Sequence, residues 1–362
     1  MKVLALLAAC IVMATVVNAG PILRIEDLGT LGGSHMSGAA INAFGQVAGT
    51  GLDAQGYLRA FSAMNSPTDL TPVWATSASA NGISSSGQVV GATYVNGNSQ
   101  ATLWSSGTAQ QIGGLGGPDS YALAINDNQE IAGWATTPQG QGHAVMYSNG
   151  GVRDINLPAA SSSSAYAIDS SGNIVGTAMV ASGVFRAYTW SPVLGFTTLG
   201  TLGGASSRAF GMNDSGQVVG NSNTANGYAH AFLSDASGMR DLGTLGGQSS
   251  YAYGINNAGS VVGYASLGGV DHAFLYSGGI MFDLNLVVSS LAGWELTAAY
   301  AINDSGQITG DGLFQGVEHV FRLDPGAGVQ DSSIVAPEPD TNALVLIGAA
   351  VLIGGALLKR RT

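Results

Sequence analysis

The segment Ala40-Ile41-Asn42-Ala43-Phe44-Gly45-Gln46-Val47-Ala48-Gly49 returns six more times, with Ile41 answered by Ile83, Ile125, Ile168, Met212, Ile255 and Ile302. The steps between them are 42, 42, 43, 44, 43 and 47 residues. A unit of this size cannot bury an apolar face alone, so successive copies must stack against one another. Seven near-equal copies leave few architectures open.

The columns of the repeat give its local structure. The residue before Ile/Met is Ala or Gly in every copy, and so is the residue three before it. Between them stands a larger side chain in most copies: Leu123, Tyr166, Phe210, Tyr253 and Tyr300. Small–large–small alternation predicts a strand with one crowded face and one filling face, as the innermost strand of a propeller needs. Asn, Asp or Ser follows (Asn42, Ser84, Asn126, Asp169, Asn213, Asn256, Asn303), then Gly three residues on in six of seven copies. That is hairpin chemistry: the side chain caps the turn and Gly takes its positive φ. A second strand ends at a Gly present in every copy, which implies close backbone packing. A third strand carries His-Ala-Phe or a relative of it, as at 230–232 and 272–274. A fourth, such as Asp241-Leu242-Gly243, precedes the next copy. Four of these run on into Leu-Gly-Thr-Leu-Gly-Gly or a near variant.

Four short strands in about 43 residues make a propeller blade. The expectation is an all-β, seven-bladed β-propeller over residues 20–324, closed by an N-terminal strand near Ile22 to Leu28 that joins the last blade. An open β-solenoid is the competing architecture; it would need capping repeats at both ends. The His-Ala-Phe triplets, the glycine loops and the Asn-Asp-Ser-Gly turns together resemble the HAF-repeat family of extracellular proteins over about residues 24–323. Repeat 2 departs most, with Gln100-Ala101-Thr102 for the triplet. The resemblance implies location and architecture; the family brings no established activity.

The two ends predict export. Residues 1–19 read as a signal peptide with Lys2 ahead of an apolar run, cleaved between Ala19 and Gly20. A lipobox reading at Cys10 competes, but the apolar run continues past that residue. Cys10 is the chain's one cysteine, so the mature body has no thiol chemistry. At the other end, a linker over 325–342 contains Pro337-Glu338-Pro339. An apolar stretch over 343–358 and the basic tail Lys359-Arg360-Arg361 follow, a membrane helix with a positive-inside stop. This order resembles the PEP-CTERM sorting signal, which implies Sec export, processing by an exosortase and release of an inner-membrane-tethered precursor to the surface.

Composition narrows function. Without the targeting segments, residues 20–336 hold seven Arg, no Lys and twenty acids, a net charge of −13. Such a surface repels phosphate, which disfavours a nucleic-acid role. No Gly-x-Ser-x-Gly elbow or other catalytic set stands out, and Leu-Gly-Thr-Leu-Gly-Gly lacks the Lys and helix of a phosphate loop. His143, His230, His272 and His319 share one repeat column, so an axial metal cluster is a candidate. Arg59, Gln100 and Arg186 in that same column favour a structural strand-end role instead. Calcium at the Asn-Asp-Ser-Gly turns is the one cofactor candidate, against the missing Asp-x-Asp spacing. The acids Asp27, Asp69, Asp154, Asp241 and Asp283 recur and read as structural; a ligand pocket is expected beside the insertion from Asp283 to Trp294. The expected function is a non-catalytic binding or structural propeller at the cell surface, associated with exopolysaccharide, biofilm or a surface protein. The alternative is a secreted polysaccharide hydrolase or lyase with its site in the channel.

Overall fold

The computed structural model describes residues 23–326. The predicted signal peptide with Ala19 and Gly20, Pro337-Glu338-Pro339, the apolar segment 343–358 and Lys359–Arg361 lie outside the described residues. Among those described, no helix is long and apolar enough to cross a membrane.

Seven four-stranded antiparallel sheets form the body. Six are continuous: 32–69, 77–111, 120–154, 162–198, 203–241 and 250–283. The seventh takes three strands from 294–325 and its outermost from Leu23–Gly29, which pairs with Val317–Pro325 in the register Leu23↔Pro325 to Asp27↔Phe321. The two ends of the chain thus lock one sheet, and the ring closes. The first strand of each sheet contacts the first strand of the next all the way round, which puts it at the axis. The expected seven-bladed propeller is present, and the solenoid alternative is excluded.

The core is divided accordingly. Seven apolar clusters sit one at each blade interface, from Val47, Phe61 and Val320 between blades seven and one to Leu275, Leu296 and Phe321 between six and seven. The aromatic of the third-strand triplet (Phe61, Tyr188, Phe232, Phe274, Phe321) is fully buried in five blades. Burial of each such ring stabilises by roughly 2–3 kcal/mol.

One local reading needs correction. The innermost strand does not simply alternate faces, because its register slips in every blade at the residue between the two small ones: Ala122↔Gly133 is followed by Ala124↔Ala132, leaving Leu123 unpaired. This is a β-bulge. The small residues flanking it face opposite neighbours. A Cβ on Gly38 would meet Val320 of blade seven, and one on Gly211 would lie 2.5 Å from the Tyr253 carbonyl of blade six. The every-copy Gly lies opposite the bulge; a Cβ on Gly220 would be 1.9 Å from the Arg208 carbonyl oxygen. The large bulge residue is left to project toward the axis.

Candidate functional site

The two mouths of the channel are built differently. At the end where the innermost strands finish, the hairpin turns form a ring. Asn42 Oδ1 accepts from the backbone N–H of Phe44 and of Gln46, both at 3.0 Å, and Gly45 takes φ 80°. The same capping recurs at Asp169, Asn213 and Asn303. The Asn Nδ2 then donates to the carbonyl of the equivalent residue one blade on: Asn42 to Ser84 (3.1 Å), Asn126 to Asp169 (2.9 Å), Asn213 to Asn256 (2.9 Å), Asn256 to Asn303 (3.2 Å) and Asn303 to Asn42 (2.9 Å). The ring lapses at Asp169, whose carboxylate has no donor, and at Ser84, whose hydroxyl caps its own turn and bonds Ser86.

This mouth encloses about 300 Å³. Its acids are already engaged: Asp127, Asp214 and Asp304 accept from the backbone N–H of Ser85, Ser170 and Asn257 at 2.7–2.9 Å. The Ser170 N–H, first among its partners, holds the Asp214 carboxyl below the usual carboxylate range. Oxygens aimed at N–H groups do not present a cation cage. The turns are geometry for closing a ring.

The four predicted histidines do not converge on the axis. Each stands on the third strand of its blade and bonds, through Nδ1, the aspartate at the end of the adjoining fourth strand: His143–Asp154 (2.8 Å), His230–Asp241 (2.8 Å), His272–Asp283 (2.7 Å) and His319–Asp27 (2.9 Å). In Asp154, Asp241 and Asp283 the other oxygen caps the chain two residues on, as Asp241 does for Gly243 N–H, while Asp27 meets both Gly29 N–H and His319 with Oδ1. The aspartate and histidine columns, read separately in the sequence, are therefore partners. The constant spacing of 11 residues at 143–154, 230–241 and 272–283 was the available signal. Blades without His improvise: Arg59 pairs with Asp53, Gln100 donates to the Pro118 carbonyl and Arg186 to that of Ala205. Among the described residues, no group of three His, Cys, Asp or Glu could hold a metal ion.

The opposite mouth, where the innermost strands begin, breaks the symmetry. The bulge residues are Ala39, Asn81 and Leu123 in blades one to three but Tyr166, Phe210, Tyr253 and Tyr300 in blades four to seven. The latter four form an unbroken arc with ring centroids 5.2–5.3 Å apart. Tyr264 stacks on Tyr251 (4.9 Å) and Tyr253 (5.8 Å) beside the arc. Across the ring, Trp134 stacks on Tyr121 (4.8 Å), which meets Tyr94 edge-on.

The column after the every-copy Gly varies widely: Thr50, Ala92, Trp134, Thr177, Asn221, Tyr264 and Asp311. Thr177 carries the single buried side-chain polar atom without a partner among the described residues. Asp311 is the single acid in this column. It accepts from Ser37 Oγ at 3.1 Å across the blade seven–one junction and bonds the Tyr300 hydroxyl. Burial, opposed by these two hydrogen bonds, pushes its carboxyl up to about 6. His35 and Glu318 lie beside it and bond each other. Burial likewise raises the phenols of Tyr253, Tyr264 and Tyr300, which stay neutral at physiological pH.

In the insertion from Asp283 to Trp294, where a pocket is expected, the anchoring side chains pack inward. Asp283 caps a single helical turn, Leu284–Val287, Leu284 is buried, and Trp294 packs against Phe314 and Phe321 as core. The asymmetric group lies elsewhere, because Ser37 and His35 reach it only through ring closure. No sequence column marked it.

No family model matches the chain, and no curated protein matches it. Solved structures do. A puromycin-hydrolysing peptidase of Mycobacterium tuberculosis superposes with a TM-score of 0.56 at 12% identity, over 88% of this chain and 57% of that one. TolB from Acinetobacter baumannii gives 0.47 at 14%, over 65% and 62%. The WD40 β-propeller domain of Doa1 gives 0.47 at 14%, over 83% and 97%. The chain spans about three fifths of the length of the first two. At such identities likeness carries the fold and no chemistry: the chain is similar to known proteins as a propeller.

Proposed function

We propose that this chain is an exported surface protein whose propeller binds a polysaccharide at the mouth where the innermost strands begin. The observation that carries the reading is the one-sided arc Tyr166–Phe210–Tyr253–Tyr300, half-exposed on the innermost strands, where blades one and two carry Ala39 and Asn81 in the same column. A core packs aromatics away; a row of half-open rings with a few convergent polar groups is how ligand sites are lined. Export rests on the signal peptide and on the resemblance of the C-terminus to an exosortase signal. The test is binding of the full-length protein to a polysaccharide array, with Phe210→Ala and Tyr253→Ala beside it. Binding lost in both variants supports the reading, and an array with no polysaccharide above background sinks it. Export is tested separately: a secreted species that begins at Gly20 and ends near Pro337 is expected, and an uncleaved cytoplasmic chain would overturn that half.

A second reading has one observation in its favour. A carboxyl at about 6 beside a phenol resembles a general acid poised near working pH. The chain would then cleave the polysaccharide it holds. New reducing or unsaturated sugar ends, absent with Asp311→Asn, would establish this; bound but intact polysaccharide returns the first reading.

A further inference from the structure

We propose that Asp311 with Tyr251, Tyr253, Tyr264 and Tyr300 forms a site for a primary ammonium group carried on a sugar, that is, for a polysaccharide with unacetylated hexosamine units. The inference rests on the polysaccharide reading above and adds the ligand's charge to it.

Asp311 is a carboxylate without a counter-ion. It is partly buried and accepts from the hydroxyls of Ser37, Tyr300 and Thr297, but neither Arg nor Lys pairs with it. The one basic group it senses, His35, is bonded to Glu318, which adds a second acid nearby. The body holds no Lys, so no intramolecular ammonium is available. Burying such a charge is costly unless a cation compensates it. Hydroxyl donors satisfy its oxygens but leave the negative charge uncancelled.

The surrounding rings favour the same occupant. Tyr300 meets Tyr253 edge-on at 5.3 Å, Tyr264 lies against Tyr253 at 5.8 Å, and Tyr264 stacks on Tyr251. Neutral phenol rings present negative faces, and ammonium groups bind over such faces. Carboxylates at the edges of a tyrosine cluster, Asp311 beside Tyr300 and Asp271 near Tyr253 and Tyr264, recognise an organic cation better than a metal, because among the described residues no three ligating groups converge. The flat ring surfaces also match the apolar face of a pyranose, and the Ser37 and Tyr300 hydroxyls match its hydroxyl groups. This combination favours an amino sugar over a lysine side chain, whose stem has no hydroxyls to pair.

The experiment is calorimetric titration of the full-length protein at pH 7 with a glucosamine hexamer and with the N-acetylglucosamine hexamer. At least tenfold tighter binding of the free amine is expected, and Asp311→Asn should abolish that preference. Tyr253→Leu, which leaves the carboxyl untouched, should weaken the amine at least fivefold. The preference should fall as pH drops from 7 to 5, as Asp311 gains a proton amid Tyr300, Ser37, His35 and Glu318. Thermal unfolding of Asp311→Asn at or above the parent's midpoint shows that its loss of preference is not misfolding. Equal binding of the two hexamers, or a preference that survives Asp311→Asn, overturns the amine inference and leaves the polysaccharide reading standing. Failure of both hexamers, with an array otherwise positive, also overturns it. Failure of every polysaccharide defeats the underlying reading instead. A lysine peptide that binds through Asp311 where the glucosamine hexamer does not would overturn the sugar.

Discussion

One channel has two ends, and seven copies of one sequence built both. At the turn end the copies stayed alike: five Asn residues pass hydrogen bonds around the axis, and each turn needs the same cap and a positive φ. At the other end they diverged: the column after the every-copy Gly holds six residue types in seven positions, and the bulge column masses four aromatics on one side. A position whose bonds run to its neighbour's backbone cannot change without breaking the ring. A position whose side chain faces an open mouth carries no such debt to the fold. The comparison teaches that symmetry here marks structure, and departure from symmetry marks where a ligand would be read.

The largest effect should come from the shared framework. Gly220→Ala places a Cβ 1.9 Å from the Arg208 carbonyl and should cost more than about 4 kcal/mol, enough to prevent purification of folded protein. A well-behaved, fully folded Gly220→Ala would break the claim that the bulge demands glycine. Next, Asn213→Ala removes the capping of its own turn and the bond to Asn256, and should cost about 3 kcal/mol in denaturant unfolding. The lapse at Ser84 sharpens the point: Ser84→Asn could complete one more link to Asn126 and should stabilise by about 0.5–1 kcal/mol.

The divergent end should answer differently. The raised carboxyl of Asp311 binds its proton more tightly folded than unfolded, so this group favours folding at low pH. That contribution is complete below the unfolded value near 4 and is lost as pH rises through about 6. At pH 7.5 Asp311→Asn should therefore be more stable than the parent by on the order of 2 kcal/mol, with the difference vanishing at pH 3.5. Melting curves at the two pH values decide it; a destabilised variant at pH 7.5 would mean that the carboxylate serves the fold. Smaller than that of Asp311→Asn is the effect of Thr177→Val, which replaces an unpartnered buried hydroxyl with a methyl group and should gain about 1 kcal/mol.

Much of the fold was legible because each blade is written in local chemistry. The Asx-to-Gly turn, the buried triplet aromatic and the closing strand at Leu23–Gly29 each follow from short-range patterns repeated seven times. The candidate site was not legible in the same way. The aromatic column was visible, yet its reading as alternation missed the bulge that turns Tyr253 and Tyr300 toward the axis. The histidines were marked as a possible cluster because a shared column suggests a shared place. Propeller geometry puts third strands away from the axis, so a shared column there means separation.

The sequence by itself determined the number of blades, the turns that end their inner strands and the glycines their close contacts require. All of these depend on residues within one unit or its next copy. Only the tertiary structure decided what surrounds Asp311. Ser37 and His35 come from the opposite end of the chain, 274 and 276 residues away. They reach that carboxyl because Leu23–Gly29 closes the seventh blade and sets the first beside it. The electrostatics of a buried charge are fixed by its neighbours in space, and ring closure chose these neighbours.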